Sequence, residues 1–294
     1  MVKSLICAIA VAALVVVSPV RADLDVVATT PSLGMLVREV GGADVKVSVL
    51  TTPEQDVHYL QARPSIMAKL RAADLLVAVG ADLEVGWIGP AVQGAANPSL
   101  RPSRQGYFEA AAQVELIDKG KPADRRLGDV HPQGNPHVTI DPVRAGTIAV
   151  ALAKRMGELD ASRAAQYADR ARGLRARLNK AAETLRAGVP AGTGVVLYHK
   201  DANYLMMRLG VPIFGYLEPL PGIPPTASHL TKISNTIKAK RGVIFHTPYQ
   251  SASGPRWLAE KTQWPVRSLP IEPPMDANLN DYLAHLQRWV DALK

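Results

Sequence analysis

Seven histidines carry the chemistry this sequence can offer: His58, His131, His137, His199, His229, His246 and His285. The sole cysteine is Cys7, inside an N-terminal apolar run, so a soft thiolate site is excluded for the rest of the chain. A metal held here must be held by imidazole or carboxylate. His58, His137 and His199 stand apart from the others because each falls just after a stretch that reads as a buried strand or just before a helix opening. His58 follows Val45–Leu50 through the loop Pro53-Glu54-Gln55-Asp56-Val57, His137 precedes Asp141-Pro142, and His199 ends Val195–Tyr198. In parallel α/β sheets, ligands bind beyond the carboxyl ends of strands. Three imidazoles meeting there suit Zn²⁺, whereas a carboxylate-rich set would lean to Mn²⁺, Mg²⁺ or Ca²⁺.

The elements that must position them form two α/β halves. In the first, Leu24–Thr29, Val45–Leu50, Leu75–Val79 and Val114–Ile117 read as strands, with helices over Ser32–Val40 and Pro64–Arg71 between them. In the second, Val195–Tyr198, Val211–Phe214, Gly242–Phe245 and Val266–Leu269 read as strands alternating with helices at Ala202–Leu209, Ser228–Lys240 and Gly254–Thr262, and an amphipathic helix over Asn278–Leu293 ends the chain. Such alternation is the pattern of parallel sheets with crossover helices. Asp141-Pro142 offers an N-cap followed by proline at the first helical position. A second helix opens at Asp160-Ala161-Ser162 and runs to about Ala187, long enough to act as a rigid spine. The fold expected is therefore α/β, two lobes with parallel-type sheets joined by a long spine helix. The boundaries expected are a signal peptide over 1–22, an N-terminal lobe over 23–157, a linker helix over 158–190 and a C-terminal lobe over 191–294.

Composition narrows the function classes. Hydrophobic residues make up 47% of the 294 and charged residues 20%, which excludes a disordered chain. Met1–Ala22 has Lys3 at its start, an apolar run from Ser4 to Val17 and the small residues of Val20-Arg21-Ala22 at its end, the build of a cleaved secretory signal. The run is shorter than the roughly 20 residues needed to span a bilayer. Removing 22 of 294 residues leaves 272, and losing Lys3 and Arg21 takes the net charge from +8 to +6. The basic stretch Arg163–Arg186 has Asp169 and Glu183 interleaved and reads as a solvated helix face, and with export this argues against nucleic acid as a partner. A soluble, exported monomer is expected.

On these motifs residues 23–294 resemble the periplasmic solute-binding proteins of ABC importers for zinc and manganese, a family that also includes metal-binding lipoproteins and adhesins. The likeness rests on Gln55-Asp56-Val57-His58-Tyr59 with Arg63-Pro64-Ser65, on Asn135-Pro136-His137-Val138 with Ile140-Asp141-Pro142, and on Val196-Leu197-Tyr198-His199. Val57 stands where the family usually has proline, and Thr139 where it usually has tryptophan. The resemblance implies His58, His137 and His199 as metal ligands, with histidine rather than glutamate at the third position pointing to zinc. The family's fourth ligand is usually an aspartate after the last strand. Here that position is Pro270, within Leu269-Pro270-Ile271-Glu272-Pro273-Pro274-Met275-Asp276. Asp276 is the expected substitute, with Glu272 or water as alternatives. His131 lies in a polar loop that is His-rich in some zinc members, and is expected to be an ordinary loop residue, with a transient capture ligand near the cleft as the alternative. His229, His246 and His285 are expected to be structural, and Tyr59, Tyr198 and Asn135 to orient the imidazoles. The resemblance implies a periplasmic protein that captures Zn²⁺ and delivers it to an ABC permease in the inner membrane, with room for a metallochaperone that loads it. The alternative, a zinc hydrolase using a three-His site with an open water position, lacks a recognisable general base: there is no His-Glu-x-x-His helix and no Gly-x-Ser-x-Gly elbow. An organic solute would want an aromatic-lined cleft, and aromatics are only 5% of the chain.

Overall fold

The computed structural model describes residues 23–120 and 131–294, so the proposed signal segment lies outside the described residues. Two four-stranded sheets are present, and every pairing in both is parallel. The first has the order β2-β1-β3-β4, built from β1 (Leu24–Ala28), β2 (Val45–Val49), β3 (Leu75–Ala78) and β4 (Tyr107–Glu109). The second repeats that order as β6-β5-β7-β8, from β5 (Thr193–Leu197), β6 (Ile213–Tyr216), β7 (Arg241–His246) and β8 (Val266–Ser268). Central strands β3 and β5 are buried at every position, as continuous apolar runs in a sheet covered on both faces must be.

Helices α1 (Pro31–Gly41), α2 (Pro64–Ala72) and α3 (Ile88–Ala95) serve the first sheet. The second carries α6 (Asn203–Leu209), α7 (Ala227–Ile237) and α8 (Ser253–Thr262). Between the sheets run α4 (Pro142–Leu159) and α5 (Ala164–Ala187), and α9 (Leu279–Asp291) closes the chain. Asp141 caps α4 as its sequence promised, its Oδ1 accepting from Val143 N at 3.0 Å. The spine helix α5 is 24 residues, about 36 Å at 1.5 Å per residue. It starts four residues later than expected because Asp160 is drawn inward. Its carboxylate takes Ser162, Arg163 and Tyr167 as donors, and a 3-10 turn over Ala161–Arg163 precedes the helix. The fourth strand also differs: β4 is Tyr107–Glu109, and Val114–Ile117 is irregular chain. Its apolar residues pack on the core without a strand partner.

One apolar core runs through both halves. It joins Val26 and Val77 of the first sheet to Val195 and Phe245 of the second by way of Ile148, Leu152, Leu178 and Trp289. Polar ties cross the same boundary. Asp141, fully buried, accepts from Arg208 Nε and Nη2 at 2.9 Å each, a paired contact between the start of α4 and the side of α6. The Tyr204 hydroxyl donates to Asn135 O at 2.7 Å, and that of Tyr282 to Thr139 O at 2.7 Å. The halves are thus bolted together beside His137, so wholesale parting of the sheets would break several buried contacts at once.

Candidate metal centre

Each expected histidine arrives by a different local device. The chain leaving β2 turns at Asp56, whose Oδ1 caps a 3-10 turn over Val57–Tyr59 by accepting from His58 N at 3.0 Å. The same oxygen accepts from the His58 ring Nδ1 at 2.6 Å, and Trp87 Nε1 pins the turn by donating to Val57 O at 2.9 Å. His137 is set by Asn135, which accepts from His137 N at 3.0 Å while its amide donates across the halves to Lys200 O at 2.8 Å. His199 leaves the end of β5. Its Nδ1 lies 2.7 Å from Glu218 Oε2, a carboxylate placed there by the parallel register that carries Leu217 N to Leu197 O and Glu218 N to Tyr198 O.

A fourth ring joins them. His131, His58, His137 and His199 each offer one nitrogen, and these four lie within 4.8 Å of one another. His58 Nε2 and His131 Nε2 are 3.2 Å apart. Four nitrogens tetrahedrally around zinc at about 2.05 Å would sit about 3.3 Å from each other, so small side-chain movements bring this group to that geometry. His131 reaches the cluster because its loop is clamped at the base. Asn135 N donates to Ile117 O at 2.8 Å and Gly120 N to Pro132 O at 3.3 Å. The clamp needs glycine at 134, where φ is +126° and a Cβ would stand 2.6 Å from Leu116 Cβ. Residues 121–130 of this loop are outside those described.

Two carboxylates set the tautomers of two of the rings. A carboxylate accepts only from a protonated ring nitrogen, so Asp56 and Glu218 keep the proton on Nδ1 of His58 and His199 and leave Nε2 free to ligate. Burial alone would raise Asp56, but the ring and backbone N–H donors of His58 hold its carboxyl below the usual range. Burial would lower His199, but its bond to Glu218 and the charges of Asp201, Glu218 and Asp56 raise it on balance. His137 is different: burial first, then the other three imidazoles, push it well below the ordinary histidine value. Its Nε2 is sealed from solvent and finds no hydrogen-bond partner among the described residues. A buried acceptor of this kind costs about 1–3 kcal/mol when left unmatched, and a cation at the centre of the cluster would match it.

Asp276 is not brought to this cluster. It is exposed, and its charge faces Arg38. The segment after β8 folds back over α1, where Arg38 donates to Met275 O and Ala277 O. The alternative, Glu272, accepts from Ser32 N at the start of α1 at 2.7 Å. Asn135 does orient His137, through its backbone rather than its ring. Tyr198 lines the cleft, and Tyr59 stands at its mouth, 64% exposed. His229, His246 and His285 bond backbone carbonyls of Tyr216, Thr247 and Ile271. Sequence reasoning missed the carboxylates behind the rings. Asp56 could have been found from its place two residues before His58, but Glu218 lies 19 residues from His199 and meets it only through strand pairing. The cleft above the rings holds about 210 Å³ and is lined by Asp56, Asp201 and Glu218. That is a space for a small cation rather than a bulky organic solute.

The family model for the periplasmic component A of zinc-uptake complexes, ZnuA, matches residues 26–294. The chain is 25% identical over 268 residues to the high-affinity zinc uptake system protein ZnuA of Yersinia pestis, covering 86% of this chain and 83% of that protein. Among solved structures, a crystal structure of ZnuA superposes with a TM-score of 0.76 at 20% identity, over 92% of this chain and 100% of the other. The solute-binding protein FpvC of Pseudomonas aeruginosa in complex with Mn²⁺ superposes at 0.77 with 22% identity, over 92% and 96% of the two chains. A mutant of the laminin-binding adhesin Lmb of Streptococcus agalactiae superposes at 0.74 with 25% identity, over 92% and 100%.

Proposed function

The chain belongs to the ZnuA family of periplasmic zinc-uptake components, and we propose that it captures Zn²⁺ in the periplasm through His58, His131, His137 and His199 and hands it to an ABC permease. One observation carries the choice of ligands: four imidazole nitrogens from four separate stretches lie within 4.8 Å of one another. An all-imidazole set suits a borderline ion such as zinc and offers hard Mn²⁺ none of the carboxylate oxygens it prefers. It also supports binding over hydrolysis, because a shell filled by four rings keeps no open position for an activated water.

Two carboxylates fix the tautomers, Asn135 fixes the backbone of His137, and the acidic cleft draws in a cation. Ligation needs neutral rings, so protons compete with the ion. His199 is raised on balance, so a proton competes with the ion at its ring as pH falls. Delivery by way of a signal peptide over 1–22, and loading by a metallochaperone, fit the same reading.

The test is zinc titration against a chromophoric competitor, with metal analysis of protein purified from the periplasm. Alanine at each of the four histidines should weaken binding by more than the roughly 10–100-fold expected for loss of a supporting carboxylate. Asp276→Ala should bind as wild type does. Wild-type affinity in His131→Ala together with a collapse in Asp276→Ala would overturn the ligand set.

A further inference from the structure

Glu218 does more than hold a ring. The same Oε2 that bonds His199 Nδ1 at 2.7 Å also accepts from Gly222 N at 3.0 Å. Ile223 N donates to Leu220 O at 2.9 Å, so residues 218–223 curl around a single carboxylate oxygen. Gly222 makes the curl with φ at +77°, a conformation that favours glycine. Pro219, Pro221, Pro224 and Pro225 stiffen the segment, and α7 begins directly after it with Thr226 as its cap. A stiff curl transmits a displacement of its tip to its base instead of absorbing it. The tip is apolar and open to solvent: Leu220 is 51% exposed and Ile223 36%. Tyr59, next in the chain to His58, is exposed and lines the same cleft.

We propose that loop 217–226 is a release lever: a permease that seats the Leu220–Ile223 tip draws Glu218 off His199 and loosens the zinc site from one side. The proposal rests on the zinc-delivery reading above. Two features favour a lever over a parting of the lobes. The lobes are tied beside His137 by the Asp141–Arg208 pair, by Tyr204 and Tyr282, and by a continuous core. The curl beyond the strand register, by contrast, is tied to the zinc site by the Glu218 Oε2–His199 Nδ1 contact, the Gly222 N bond to the same oxygen lying within the curl. The occupant follows from the path of the ion, which leaves through the cleft that Gly222 of this curl and Tyr59 line. The protein that covers that cleft is the one that receives it.

Zinc release is followed by stopped flow into a chromophoric chelator, with the loaded protein alone and with proteoliposomes holding the cognate permease. Leu220→Ser/Ile223→Ser should release zinc at the wild-type rate when alone but lose the acceleration that the permease gives wild type. Glu218→Ala should release zinc about 10–100-fold faster alone, and the permease should add little. Amide exchange in the wild-type protein gives a reading free of any folding defect: Gly222 N–H should lose protection when the permease is added. A double variant that answers the permease like wild type, a Glu218→Ala protein that keeps its zinc as long as wild type, or unchanged exchange at Gly222 each overturns the lever. Failure of the wild-type protein to load zinc overturns the underlying zinc reading instead, so the two failures are told apart at the first step.

Discussion

Replacing His137 by phenylalanine should make the metal-free protein more stable while abolishing zinc binding. His137 Nε2 is sealed from solvent without a hydrogen-bond partner among the described residues, and its ring lies 5.4 and 5.5 Å from those of His58 and His199. Leaving such an acceptor unmatched costs about 1–3 kcal/mol, whereas a flat apolar ring of nearly the same shape carries no such cost. The gain expected without metal is therefore about 1–2 kcal/mol, after allowing for the slightly larger ring. For a chain of this size that is a rise in Tm of about 2–8 °C. Calorimetry on chelator-treated protein checks it, with His137→Leu as a smaller variant that removes the same nitrogen without crowding its neighbours. Zinc at about 100 times the wild-type Kd should then add about 2.7 kcal/mol to wild type and nothing to either variant. Should both metal-free variants prove less stable than wild type, the notion of a nitrogen kept unmatched for a cation is wrong.

Two further outcomes follow from buried groups away from the centre. His285 is neutral and held between Ile271 O and Arg288, with burial first among the causes that lower its pKa from 6.5 to about 4. The unfolded chain takes up this proton first, so the stabilisation is complete above pH 6.5 and is lost as pH falls toward 4. It amounts to about 2 kcal/mol of lost stability by pH 5, visible as a flatter pH dependence of urea midpoints in His285→Gln. Asp141→Ala removes the cap of α4 and strands Arg208 and Arg144 together, and should cost about 3 kcal/mol in urea unfolding. Full stability in that variant would show that the halves do not depend on this tie.

Much of the architecture was legible because it depends on neighbours in sequence. Short apolar-rich or alternating runs marked seven of the eight strands; only the central β3 and β5 are buried at every position, with no polar side to show. Asp141-Pro142 declared a helix start because cap and first turn are adjacent residues. The exception is β4, whose Tyr107–Glu109 shows no apolar run, while Val114, Leu116 and Ile117 pack half-buried against the core without strand pairing. Within the centre, His58, His137 and His199 were marked by local motifs, by the strands that His58 and His199 follow and by the helix opening that His137 precedes.

What the chain order alone determined, then, is which stretches become strands and helices and which three imidazoles stand at their exits, because periodicity, caps and turns act over a few residues. Tertiary structure decided who joins those three. His131 swings in because a loop is clamped at Ile117 and Gly134, and Asp276 swings out because its segment is tied to α1 by Arg38. Glu218 finds His199 because β5 and β6 lie in parallel register. Each of these is a contact between distant segments, and its distance exists only once the sheets, the spine and the crossing ties have set where the loops begin and end.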